Sequence, residues 1–211
     1  MPLFKTITVA NGLLAVWQIT ESTDELLSFF TPDELNGTFF KNIQFEKRKA
    51  EWLAIRALLK QMIGPDFLIS YTKAGKPLIS HSDYKHISIS HSREFAVVLI
   101  HQQLAVGIDI ESRNRNYASV KKRFLSEAEL AVVNDDPMLQ CLYWCAKEAI
   151  FKLVEEEGLD FRKHIQLFNL DLKKDSLHAK FSQNNLERTY HLQFTTFNEH
   201  GLVWVCSKPS A

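Results

Sequence analysis

Apolar and polar positions alternate most sharply at Val106-Gly107-Ile108-Asp109-Ile110-Glu111, and that period of two predicts a strand. Val106, Ile108 and Ile110 would enter a core, leaving Gly107, Asp109 and Glu111 together on the opposite face. The same reasoning predicts one or two strands within 6–19, where Leu13, Ala15 and Trp17 alternate, and another at 84–90 with Ile87 and Ile89 on one face. Residues 95–100 are apolar throughout, as in a buried strand. Further strands are expected at 165–172, 177–181, 190–197 and 202–206, with Asn198 to Gly201 turning the last pair.

Helical signals fill the intervals. Ser22 with Glu25 and Ser126 with Glu129 have the spacing of capping boxes. Thr31-Pro32-Asp33-Glu34 repeats that signature and predicts a short helix stopped at Gly37. Two long helices are expected, one over 42–62 before Gly64-Pro65 and one from Asp136-Pro137 to about 157 before Gly158. A shorter helical stretch is expected at 118–124. Lys73-Ala74-Gly75-Lys76-Pro77 is a turn and Arg113 to Asn116 a polar loop. Each half mixes strands with one long helix, an echo at the level of elements alone.

Composition narrows the class. With 211 residues the chain can bury a substantial core, and 45% of it is hydrophobic. Twenty-five basic residues balance 25 acidic ones, so no global field points to nucleic acid or an anionic membrane. Any polyanion site must be a local cluster. No apolar run is long enough to span a bilayer, Met1 to Lys5 lacks the apolar region of a signal peptide, and three cysteines fit a reducing cytoplasm. Cys141 and Cys145 have no second ligand pair nearby and are expected as buried small residues rather than a zinc site.

Several positions carry candidate chemistry. Asp109 and Glu111 side by side repel unless a cation lies between them, and a hard ion such as Mg²⁺ suits them. Two solvated surface acids are the alternative. Gly107 leaves room for a ligand or another backbone. Glu148 and Lys152 share a helix face, as a phosphate-directed pair or as an ordinary salt bridge. Lys47, Arg48, Arg56 and Lys60 line the polar side of the first long helix. Ser90 and His91 lack the surroundings of a serine hydrolase and better suit donation to a phosphate.

Taken in order, four blocks resemble the 4′-phosphopantetheinyl transferases of the surfactin-synthetase-activating (Sfp) type. They are Gly75-Lys76-Pro77, Ile87 to Ser92, Gly107 to Glu111, and Trp144-Cys145-Ala146-Lys147-Glu148-Ala149-Ile150-Phe151-Lys152, and the helix around Arg56-Ala57-Leu58-Leu59 fits a further family segment. Ser88 stands where the family usually has Asn. The resemblance implies two similar α+β halves related by a pseudo-twofold, here 1–103 and 104–211, and a monomer with its site between them. It implies transfer of the phosphopantetheine arm of coenzyme A to a serine of an apo acyl or peptidyl carrier protein, releasing adenosine 3′,5′-bisphosphate. Asp109, Glu111 and Glu148 match the family's Mg²⁺ ligands, and Lys152 would offset phosphate charge. The base would be Glu148, or Glu129 through water. Lys47 or Arg48, Arg56, Lys76, Ser90 and His91 would contact coenzyme A. A Mg²⁺-dependent phosphodiesterase or nuclease, and a non-catalytic coenzyme A-binding module, are the competing functions.

Overall fold

A computed structural model describes residues 3–35 and 38–208, with the side chains of Thr38 and Phe39 excepted. The helix stop expected at Gly37 lies outside the described residues. The opening residues form β1 (Leu3–Val9) and β2 (Gly12–Gln18), followed by short helices α1 (Thr23–Leu27) and α2 (Thr38–Lys41) and the long α3 (Glu46–Ile63). A hairpin, β3 (Leu68–Tyr71) and β4 (Pro77–Ser80), leads to β5 (His86–His91) and β6 (Phe95–His101). After β7 (Ala105–Ser112) come α4 (Lys121–Phe124), α5 (Glu127–Val133), the long α6 (Pro137–Val154) and α7 (Phe161–His164). The chain ends in β8 (Ile165–Asp171), β9 (Ser176–Gln183), β10 (Leu186–Phe197) and β11 (His200–Ser207).

The strands assemble into antiparallel sheets of order β1-β2-β6-β5 and β7-β11-β10-β9-β8, with β3-β4 apart. In each large sheet the strand preceding the long helix pairs with the sheet's last strand: β2 with β6, β7 with β11. α3 covers one face of the first sheet, burying Leu53, Ala54 and Leu58 with Ala15, Trp17, Val98 and Ile100. α6 covers one face of the second, through Ala146, Ala149 and Ile150. The uncovered faces meet. Leu14, Val16, Phe95, Val97 and Leu99 pack with Val106, Ile108, Ile110, Leu202 and Trp204 in one cluster.

Local chemistry explains most element ends. Both expected capping boxes form, at Ser22/Glu25 and Ser126/Glu129. Asp136 caps α6 with Pro137 in its first turn. Thr31 and Glu34 make the capping contact too, Thr31 N to Glu34 Oε2 at 2.8 Å, but residues 32–35 form only a turn. The long helices are shorter than expected, since α3 starts at Glu46 and α6 stops at Val154. Glu155 closes α6 in the left-handed region at φ 59. The hairpin before β11 turns on Asn198 and Glu199 alone, both at positive φ, which suits a two-residue loop; His200 and Gly201 already belong to the strand. Strands β3 and β4 were not legible in the sequence, being four residues each and largely exposed.

Candidate active site

Strand β7 places its residues as the alternation predicts. Val106, Ile108 and Ile110 enter the core between the sheets, and Gly107, Asp109 and Glu111 turn to the face under α6. The space at Gly107 serves the helix backbone: a Cβ there would stand 1.9 Å from the carbonyl oxygen of Ala149. This close approach seats α6 directly over Asp109.

Lys152, one turn along α6, reaches down to the junction of β5 and β7. Its ammonium donates to the carbonyls of Ile108 (2.9 Å) and Ile89 (3.3 Å) and to Asp109 Oδ1 (2.8 Å). Ser90 Oγ donates to the same carboxylate oxygen at 2.7 Å. Ser90, expected as a coenzyme donor, is thereby committed to Asp109. Ser88 Oγ accepts from Ile108 N at 3.1 Å, so this departure from the family pattern helps hold β5 against β7. Asp109 Oδ2 is buried without a hydrogen-bond partner. Glu111 pairs with Arg115, whose guanidinium also lies 4.4 Å over the Trp144 ring. Sequence reasoning passed over Arg115 as part of a polar loop.

The acids feel one another. Burial, then the charge of Asp109, pushes the Glu148 carboxyl up to about 7, against the pull of Lys152 and Arg115. Burial likewise raises Glu111, opposed by Arg115 and reinforced by Asp109. Carboxylate oxygens, one of them on Asp109 buried and unpaired, are the kind of donors a hard cation takes. As placed, no group of three His, Cys, Asp or Glu side chains among the described residues closes on one point; Lys152 pairs with Asp109 and Arg115 with Glu111.

Two adjoining clefts open beside this junction. One, of about 690 Å³, is lined by Phe45, Arg48, Glu51, Trp52, Tyr71 and His91. The other, of about 720 Å³, is lined by Lys76, Ser88, Lys152 and Glu155 to Gly158. Gly75, Pro77 and Ile89 border both. In the first, Arg48 Nη1 lies 3.4 Å from His91 Nε2 and Lys47 Nζ 3.6 Å from Glu51. Lys76 bridges the second cleft to Glu155.

Two expected site residues are not among those that line the clefts, although Trp52, on which Arg56 stacks, lines the first. Glu129 is 3% exposed; it accepts from Ser126 N (2.7 Å), Leu167 N (2.8 Å) and the buried Lys147 (2.8 Å). These bonds tie α5, α6 and β8 together and leave it out of reach of an incoming serine. Arg56 packs its guanidinium 3.4 Å from the Trp52 ring centroid and donates to the Trp52 carbonyl, a stacking role. Cys141 and Cys145 are buried, as expected.

Residues 105–205 match the model of the 4′-phosphopantetheinyl transferase superfamily. Over 112 residues, 50% of this chain, the sequence is 32% identical to 4′-phosphopantetheinyl transferase AcpT of Escherichia coli (strain K12), covering 57% of that protein. The protein of the same name from Salmonella typhimurium is 33% identical over 112 residues, covering 58% of its length. The chain thus spans little more than half the length of the curated relatives it matches. Asp109, Glu111, Glu148 and Lys152 all fall inside the family-matched segment.

Proposed function

We propose that this chain transfers the 4′-phosphopantetheine arm of coenzyme A to a serine of an apo carrier protein, acyl or peptidyl, and releases adenosine 3′,5′-bisphosphate. The observation that carries this reading is the junction itself. Three acids and Lys152, all within the family-matched segment, stand beside clefts that bear Arg48, His91 and Lys76.

Glu148 is the base in this reading. Its carboxyl has no ion-pair partner among the described residues and is raised by burial and by Asp109 in the metal-free protein, which leaves it able to accept a proton. It takes the proton of the carrier serine as that oxygen attacks the phosphorus bearing the pantetheine arm. The bond from that phosphorus to the bridging oxygen breaks, and the bisphosphate leaves with the electron pair. Lys152 borders the cleft and puts positive charge beside the phosphates, while its bonds to Asp109 and two carbonyls fix its position. Lys76, Arg48 and His91 hold the nucleotide phosphates. Asp109, Glu111 and Glu148 would hold Mg²⁺, which neutralises phosphate charge when bound.

Two sheets, each with a long covering helix and each pairing its last strand with the strand that precedes that helix, support halves at 1–103 and 104–211 related by a pseudo-twofold, the Sfp-type arrangement. Residues from both then build one site in one chain, so the active species is a monomer. No described helix is long and apolar enough to cross a membrane, and a cytoplasmic location fits the substrate. The test is intact mass spectrometry of apo carrier proteins incubated with this protein, coenzyme A and Mg²⁺. Each modified carrier should gain one phosphopantetheine; unmodified carriers with hydrolysed coenzyme A would favour a phosphodiesterase instead.

A further inference from the structure

We infer that Glu51 is a positioning residue that prepares His91 to become a cationic donor when a phosphate enters the cleft between α3 and β5, an inference that rests on the coenzyme-site reading of that cleft. Glu51 is 4% exposed, although Lys47 and Arg48 on the same turn project into solvent. Its Oε2 is buried with no hydrogen-bond partner, 3.5 Å from His91 Nδ1 and 3.9 Å from Arg48 Nη1. An unpaired buried carboxylate oxygen is costly, and each such group in a folded protein calls for a reason. In a cleft meant for phosphate, an acid would by itself repel the ligand. It helps only by acting through a group that changes charge.

His91 is that group. A guanidinium has donors only, so the 3.4 Å approach of Arg48 to His91 Nε2 places the lone pair on that nitrogen and the ring proton on Nδ1, facing Glu51. The free protein therefore holds a neutral ring with its acid already beside the bound proton. An arriving phosphate draws Arg48 onto its own oxygens. Nε2 is then released, takes a proton from solvent and donates it to a phosphate oxygen, while Nδ1–H remains on Glu51. The charged groups facing the ring are Glu51, Arg48 and Lys47 from α3 and Lys152 from α6. Burial and the three cations hold the ring below its ordinary value, against Glu51. A dianion in the cleft tips that balance, so binding consumes a proton.

The experiment uses adenosine 3′,5′-bisphosphate as probe on the full chain. Calorimetry at about pH 7.5, in buffers of differing ionisation enthalpy, reads proton uptake, and NMR of the His91 ring reads its titration in free and bound protein. The ring should titrate higher by about one unit or more in the complex, equivalent to about tenfold. Glu51→Gln should bind the probe more weakly than wild type below pH ~6.5 and at least as tightly above pH ~8, since glutamine neither supports the imidazolium nor repels phosphate. A merely structural loss would weaken binding equally at all pH. A ring that stays neutral in the wild-type complex, or parallel pH profiles for the two proteins, overturns the role of Glu51; the ring measurement needs no variant. Failure of the probe to bind wild-type protein overturns the coenzyme-site reading itself, which separates the two outcomes.

Discussion

Lys152 does not pair with Glu148, its neighbour one turn back on α6; its ammonium sits 2.8 Å from Asp109 Oδ1, on a strand 43 residues earlier in the chain. The i,i+4 spacing permitted a surface salt bridge, worth a few tenths of a kcal/mol. The fold offers better: one carboxylate and two carbonyls converge where β5 and β7 meet under the helix. Glu148 is left with no ion pair of its own among the described residues, which is why burial can raise it so far.

Lys152→Ala should therefore remove both charge beside the phosphates and the partner of a buried acid. Transfer should fall about 10²-fold, by comparison with the loss of one oxyanion donor. The melting temperature should fall too, since Asp109 loses its cation. Lys152→Arg should rescue poorly, because a planar fork cannot reach three acceptors set around a single ammonium. Turnover and calorimetry on both variants check this, and wild-type turnover in the alanine variant would contradict it.

Glu148 sets a pH dependence. Its carboxyl titrates at about 7 in the folded protein against an ordinary 4.5. The folded state holds this proton more tightly, so the stabilisation is complete below about pH 4.5 and is lost as pH rises to about 7. Glu148→Gln should flatten that decline and be the more stable protein above pH ~7. It should also abolish transfer. Mg²⁺ added with coenzyme A should raise the wild-type melting temperature above pH ~7, reversibly with EDTA, and should do so far less in Asp109→Ala. Melting curves across pH decide it; full activity in EDTA would falsify the metal assignment.

Gly107→Ala should be severely destabilising. The added Cβ meets the Ala149 carbonyl at 1.9 Å, backbone that cannot yield without lifting α6 from β7. A loss of about 3 kcal/mol or more is expected. Denaturant unfolding of the variant measures this, with alanine tolerated at no cost as the contrary result.

Lys76 should discriminate coenzyme A from dephospho-coenzyme A. It stands at the cleft mouth bound to Glu155, and a 3′-phosphate would compete for it. Coenzyme A should bind better by about tenfold or more, and Lys76→Ala should narrow that gap. Competition binding with the two ligands is the measurement, and equal affinities in wild type would exclude a 3′-phosphate contact here.

Under the proposed reading, in which one chain supplies the whole site, specific activity should hold constant on dilution while light scattering reports a monomer. Activity that collapses as an oligomer dissociates would place the site between subunits.

The sequence by itself determined the faces of β7, both long helices, two capping boxes and the Gly75 turn, because each depends on residues within a few positions of one another. Strand alternation put Asp109 and Glu111 on one face of β7, and helix spacing put Glu148 and Lys152 on one face of α6. Tertiary structure decided their partners. Nothing in the local pattern says that Lys152 would choose carbonyls of two strands, or that Arg115 would cover Glu111 against Trp144. Glu129 carried the same capping signature as Glu25, yet only the packing of α5 against α6 and β8 buries it with Lys147 and removes it from the chemistry. Glu51, an acid among lysines on a polar helix face, becomes a buried neighbour of His91 only when β5 is laid beside α3. Periodicity assigns a face; which atoms press against that face depends on strands and helices distant in sequence.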